Sequence, residues 1–83
     1  MVRVHVLYFA GLREAVGFAE EEAELPAWVR TVGDLCTHLA ARHPGYAARR
    51  SHVRAARNEA FAEDDEPIED GDVVALLPPV AGG

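Results

Sequence analysis

The chain has 83 residues, 14 acidic side chains against 8 basic ones and a formal net charge of −6, which leaves room for one domain and offers no basic face to nucleic acid. All 8 basic residues are arginine, so mechanisms that need a local lysine, from P-loops to Schiff bases, are excluded. Hydrophobic residues make up 49%, but 15 of them are alanine, so the larger ones fill a modest core and not a core plus an enclosed substrate cavity.

Residues 2–9 alternate. Val2, Val4, Val6 and Tyr8 fall on one face, with Arg3, His5, Leu7 and Phe9 on the other, which predicts a strand whose second face turns apolar at its far end. The same alternation does not read as a signal peptide, and no apolar run approaches the roughly 20 residues of a membrane span. Residues 10–17 predict a short helical turn closed by Gly17. Residues 18–25 alternate again, with Glu20, Glu22 and Glu24 on one side and Ala19, Ala23 and Leu25 on the other. Glu21 interrupts the inner side, which predicts an edge strand. After Pro26, Thr31 reads as a helix N-cap with Asp34 three residues later. Val32, Leu35, Cys36, Leu39 and His43 have helical spacing, and His43-Pro44-Gly45 stops the helix.

Val53, Ala55 and Arg57 alternate weakly with His52, Arg54 and Ala56, and Phe61 marks a further short strand. Residues 69–72 predict a turn in which Gly71 supplies a positive φ. The last strand, residues 73–77, is apolar on both faces and stops at Pro78-Pro79. The resulting order is an α+β arrangement, a mixed sheet of four to five strands covered by one main helix. Residues 1–78 form the domain and residues 79–83 an extended tail. Leu7, Phe9 and alternate residues of the last strand lie opposite the helix face. If the first and last strands are neighbours, these residues form one exposed apolar patch of the kind that marks docking surfaces. Loops folded over the patch are the alternative.

The side chains themselves offer little chemistry. Cys36 falls on the core face of the helix, where a lone cysteine acts as a small hydrophobe, and an unpaired thiol suits a reducing cytoplasm. His5, His38, His43 and His52 lack metal-ligand spacing and read as surface or capping residues, so no metal site is expected. The acidic run from Asp64 to Asp72 has Ile68 where a calcium loop needs an oxygen, and reads as a solvated turn. The tail is different. Pro78 and Pro79 stiffen the exit from the sheet, Val80 and Ala81 follow, and Gly82 and Gly83 bring a slender end with a carboxylate. Such a terminus can thread a narrow channel. Activated by ATP-dependent adenylation, it can accept sulfur as a thiocarboxylate or an amine as an isopeptide bond.

Val-Leu-Tyr-Phe-Ala-Gly-Leu-Arg-Glu at residues 6–14 with Gly17, Thr-Val-Gly-Asp-Leu at residues 31–35, Asn58, and the closing run at residues 70–83 resemble the molybdopterin synthase small subunit family. The resemblance implies a ubiquitin-like β-grasp fold and a non-catalytic, sulfur-donating subunit of a heterotetramer. Two copies would flank a dimer of the large catalytic subunit. It further implies that Gly83 bears the thiocarboxylate, that Gly82 gives clearance, that residues 78–81 form the tail, and that Phe9, Arg13 and Leu77 contact the partner. The sulfur would pass to a pyranopterin precursor. No cofactor would be bound by this chain, because ATP would be used by a separate adenylyltransferase resembling the ubiquitin activators. Arg57 stands where the family has a small apolar residue, and residues 63–66 are unusually acidic. Both leave open a sister carrier for cysteine, thiamine or tRNA sulfur pathways, and a protein modifier is a third class.

Overall fold

The computed structural model describes residues 1–79. In chain order these form β1 (Val2–Tyr8), α1 (Ala10–Val16), β2 (Glu20–Leu25), α2 (Val32–Arg42), α3 (Pro44–Ala47), a 3₁₀ turn (Arg50–His52), β3 (Arg54–Arg57), β4 (Ala60–Phe61) and β5 (Val73–Leu77). The strands make one five-stranded sheet in the order β2-β1-β5-β3-β4. β1 and β5 run parallel, and the other pairs are antiparallel. The α+β class and the mixed sheet are as expected, and the first and last strands are indeed neighbours.

Register sorts the residues onto two faces. Val6 faces Val74, Tyr8 faces Leu76, Ala55 faces Leu76, and Ala23 faces Val4. This inner set packs against Leu12 of α1, Val32, Leu35 and Leu39 of α2, and Tyr46 of α3 in one core. Each fully buried valine or leucine of this set contributes about 1.5–3 kcal/mol by leaving water. α2 begins with the predicted capping box. The Asp34 N–H donates to Thr31 Oγ1 at 3.1 Å, and the Asp34 carboxylate accepts the N–H groups of Arg30 at 3.0 Å and Thr31 at 3.3 Å. Gly17 and Gly71 take positive φ, as the sequence requires of them. Gly45 has a different reason to be glycine: a Cβ there would lie 2.2 Å from the Ala15 carbonyl oxygen, so α3 can approach α1 only without a side chain at that point.

Glu21 does occupy the inner face, opposite Val6. Its carboxylate accepts the Tyr8 hydroxyl and lies 2.8 Å from His43 Nε2, while the rings of Tyr8, Phe18 and His43 meet edge to face. A carboxylate at the core margin is tolerable because its oxygens are engaged. His43 sits at the C-cap of α2, with its ring turned into this cluster.

Arg57 shares the inner parity of Ala55 and faces Val74. Its Nε donates to Asp72 Oδ2 at 2.6 Å, and its other nitrogens lie 3.4 Å from Glu66 and 3.6 Å from Glu69. Asp72 is only 6% exposed and also accepts from the Asn58 amide at 2.9 Å and the Glu69 N–H at 2.8 Å. The unusual arginine and the acidic loop are therefore one feature, since Glu66 is drawn to the guanidinium. The turn before β4 has two residues, Asn58 and Glu59, with φ of +49° and +74°. Paired positive φ values define the tight hairpin turn that matches strand twist.

Two predictions follow from these geometries. Glu59 holds a left-handed backbone that costs a residue with a Cβ about 1–2 kcal/mol, so Glu59→Gly is expected to raise the unfolding free energy by roughly 1 kcal/mol. Urea titration checks this, and an unchanged or lower midpoint contradicts it. Burial pushes the Asp72 carboxyl up, but Arg57, the Glu69 N–H and the Asn58 amide outweigh burial and hold it below its ordinary value of 3.8. A depressed carboxyl adds stability above its unfolded pKa and loses it as pH falls through the folded one. Asp72→Asn is thus expected to be less stable at pH 7 and to lose less stability between pH 4 and pH 2. Parallel pH profiles for the two proteins would contradict the assignment.

Candidate functional site

Because β1 and β5 are parallel, the chain leaves both strands at the same end of the sheet. Phe9 prolongs the extended backbone with φ −110° and ψ 154°, and its N–H donates to the Leu76 carbonyl at 3.3 Å. On the face away from the core, Leu7 lies across from Ala75, Ala75 from Ala56, Ala56 from Phe61, and Leu77 from Arg54. Phe9 is 44% exposed, Phe61 61% and Val73 38%. The buried residues of all three helices join the opposite face. The loop after β4 packs at the start of α2, where the Val32 and Gly33 N–H groups donate to the Glu66 and Asp64 carbonyls. It does not shield the apolar strip, so the docking reading is favoured over the covered one.

Charge borders the strip on both sides. Along β2, Glu20 and Glu22 bracket His5, whose Nε2 and Nδ1 lie 3.0 Å and 2.6 Å from them, and Glu24 pairs with Arg3. The Glu22 contact raises the His5 pKa, favouring imidazolium. On the other side the Arg54 guanidinium stacks 3.8 Å over the Phe61 ring, which holds the aromatic upright while leaving it accessible.

Of the sequence-predicted residues, Phe9 and Leu77 lie on this strip, Leu77 half-buried. Arg13 is exposed on α1, one helical turn beyond Phe9. Pro78 is half-buried and Pro79 exposed, and both carry the chain past the start of α1. Val80, Ala81, Gly82 and Gly83 lie outside the described residues. Phe61 was not anticipated as a contact. The two-residue turn at Asn58-Glu59 held the signal, because it forces Phe61 opposite Ala56 and hence onto the outer face. Cys36 is buried, and burial pushes its thiol pKa up, away from the thiolate that a persulfide carrier would need. What this region offers is an apolar face beside the Pro78-Pro79 exit from β5.

Comparison with known proteins agrees with this geometry. The ThiS family matches residues 6–83. The molybdopterin synthase sulfur carrier subunit of Escherichia coli (strain K12) is 39% identical over 82 residues, spanning 96% of this chain and 99% of that protein. The structure of a putative molybdopterin converting factor, subunit 1, from Pyrococcus furiosus superposes with a TM-score of 0.84 at 38% identity, over 96% of this chain and 100% of that one. The small archaeal modifier protein 1 of Haloferax volcanii gives a TM-score of 0.84 at 28% identity, over 96% and 100% of the two chains. The fold is the ubiquitin-like β-grasp. With a family match over nearly its whole length and a full-length relative of the same architecture, the chain belongs to the ThiS family.

Proposed function

We propose that this protein is a sulfur carrier, the small non-catalytic subunit of molybdopterin synthase. The observation that carries the reading is the apolar strip of exposed Phe9 and Phe61 and half-buried Leu7, Ala75 and Leu77 beside the Pro78-Pro79 exit, in a chain similar along its length to a molybdopterin synthase sulfur carrier subunit. In this reading residues 1–78 are the docking domain and residues 79–83 the tail. A separate ATP-dependent adenylyltransferase joins the Gly83 carboxylate to AMP, releasing pyrophosphate. A sulfur donor then displaces AMP to leave a terminal thiocarboxylate. The tail enters the large catalytic subunit, where sulfur passes to a pyranopterin precursor and an oxygen from water restores the carboxylate. Gly82 gives the clearance that this threading requires. Two small subunits flank a large-subunit dimer, and the assembly works in the cytoplasm. ATP is used by the activating partner, and this chain holds no cofactor of its own.

A second reading, a protein modifier joined to amines of target proteins, is favoured by the likeness to the small archaeal modifier protein 1. The chain's lack of lysine means that such a modifier could not extend into chains through its own side chains. Carriers for cysteine, thiamine or tRNA sulfur would use the same terminus with a different acceptor.

Reconstitution tests the leading reading. The chain is combined with the cognate large subunit, adenylating enzyme, sulfur donor and pyranopterin precursor, and dithiolene product is measured. Removing Gly82 and Gly83 is expected to abolish product while leaving the melting temperature unchanged. Phe9→Asp and Phe61→Asp, both at exposed positions, are expected to weaken large-subunit binding at least about tenfold each. Product formation by the truncated chain, or undiminished binding by both aspartate variants, contradicts the reading.

A further inference from the structure

The exit of the chain from β5 has two sides. The apolar strip lies on one. On the helix side of the same exit is a concavity of about 530 Å³, walled by the start of α1, Ala48, Val53 and the Pro78-Pro79 pair. Arg49 and His52 stand in its lining, and none of the described residues that line it is acidic. The Arg49 guanidinium donates one hydrogen bond, to the Gly45 carbonyl at 3.0 Å, and the residue is exposed. Arginine is charged at any working pH and has five donors in a planar fork. A fixed positive charge over an apolar floor is thus presented by a chain whose net charge is −6.

A tail that enters a channel is encircled at the channel mouth, so a receiving protein must touch the exit on more than one side. The apolar strip can seat only one wall of such a mouth. The groove adjoins that strip at two points along the chain. Phe9 on the strip caps α1, whose first residues form one groove wall. Leu77 on the strip runs directly into Pro78, which forms another. Charge decides what fits. An apolar side chain alone would leave the arginine unpaired on contact, at a cost in desolvation, whereas a neighbouring carboxylate would take it up as a charge-assisted pair.

We propose that this groove is the second half of the docking interface, and that it seats an apolar side chain flanked by an aspartate or glutamate of the large subunit that receives the tail. The proposal rests on the sulfur-carrier reading and names a surface for it that the sheet face does not include.

The test measures binding of the full chain to the cognate large subunit by titration calorimetry. Ala48→Trp fills the groove from an exposed position, and Arg49→Glu reverses its charge. Melting curves identify any variant that fails to fold. Each variant is expected to weaken binding at least about tenfold, and the Arg49→Glu loss is expected to shrink in high salt while the Ala48→Trp loss persists. Undiminished binding in both variants, with Phe9→Asp still disruptive, overturns the groove proposal and leaves the carrier reading standing. A defect confined to adenylation, with large-subunit binding intact, overturns it by naming the activating enzyme as occupant. Self-association of the free chain that Ala48→Trp abolishes overturns it in favour of a second copy. Failure of the unaltered chain to bind the large subunit removes the carrier reading itself, and this proposal with it.

Discussion

Val6 facing Val74 and Tyr8 facing Leu76 fix β5 alongside β1 in parallel, and three consequences follow from that one pairing. A parallel neighbour cannot be reached by a hairpin, so the intervening chain must cross over, and it does so through the helices that cover the inner face. The pairing puts the apolar outer residues of two strands side by side, Leu7 against Ala75, which no single strand could make into a surface. It also brings the last residues of β1 and of β5 to one end of the sheet, so that Phe9 and Pro78 follow neighbouring strands. Separating β1 from β5 would disrupt the core and the outer apolar strip at once.

Polar groups settle at the margins of this frame, where each has a partner. Glu21 would be a liability opposite Val6 were it not engaged by Tyr8 and His43. Arg57 and Asp72 close the far end of β3 against β5, with Asn58 locking the hairpin to the same carboxylate. This network lies at the start of β5, the end away from Pro78, and ties that strand to β3. The outer face follows another rule. It is left apolar along the middle and bordered by charge, which suits a surface that must stay free in water and still be buried by a partner.

Much of this was legible in the sequence because it depends on period and punctuation. Strand alternation located β1 and both faces of β5, Thr31 and Asp34 located the start of α2, and the strip containing Phe9 and Leu77 followed from parity once the first and last strands were neighbours. The parts that were not legible depend on contacts distant in sequence. Glu21 read as a defect because its partner His43 lies 22 residues away, and Arg57 read as an oddity because Asp72 lies 15 residues away. Phe61 was seen as a strand residue but not as a contact, since its face is set by the register across a two-residue turn. The groove at the exit draws its walls from three separated segments, so no local pattern announces it. The tail was legible as a motif, and its residues 80–83 lie outside the described residues.

In the proposed function the labour is divided between a domain that recognises and a terminus that reacts. The absence of lysine excludes lysine-dependent chemistry in this chain, and the proposed function places the reaction at the terminus. The most direct test of this account is the intact mass of the chain after incubation with ATP, the cognate adenylating enzyme and a sulfur donor, with a Gly83 deletion treated in parallel. The account predicts a gain equal to the exchange of one oxygen for one sulfur in the unaltered chain and no gain in the deletion. An unmodified chain in the presence of a competent enzyme, or equal modification of the deletion, would contradict it.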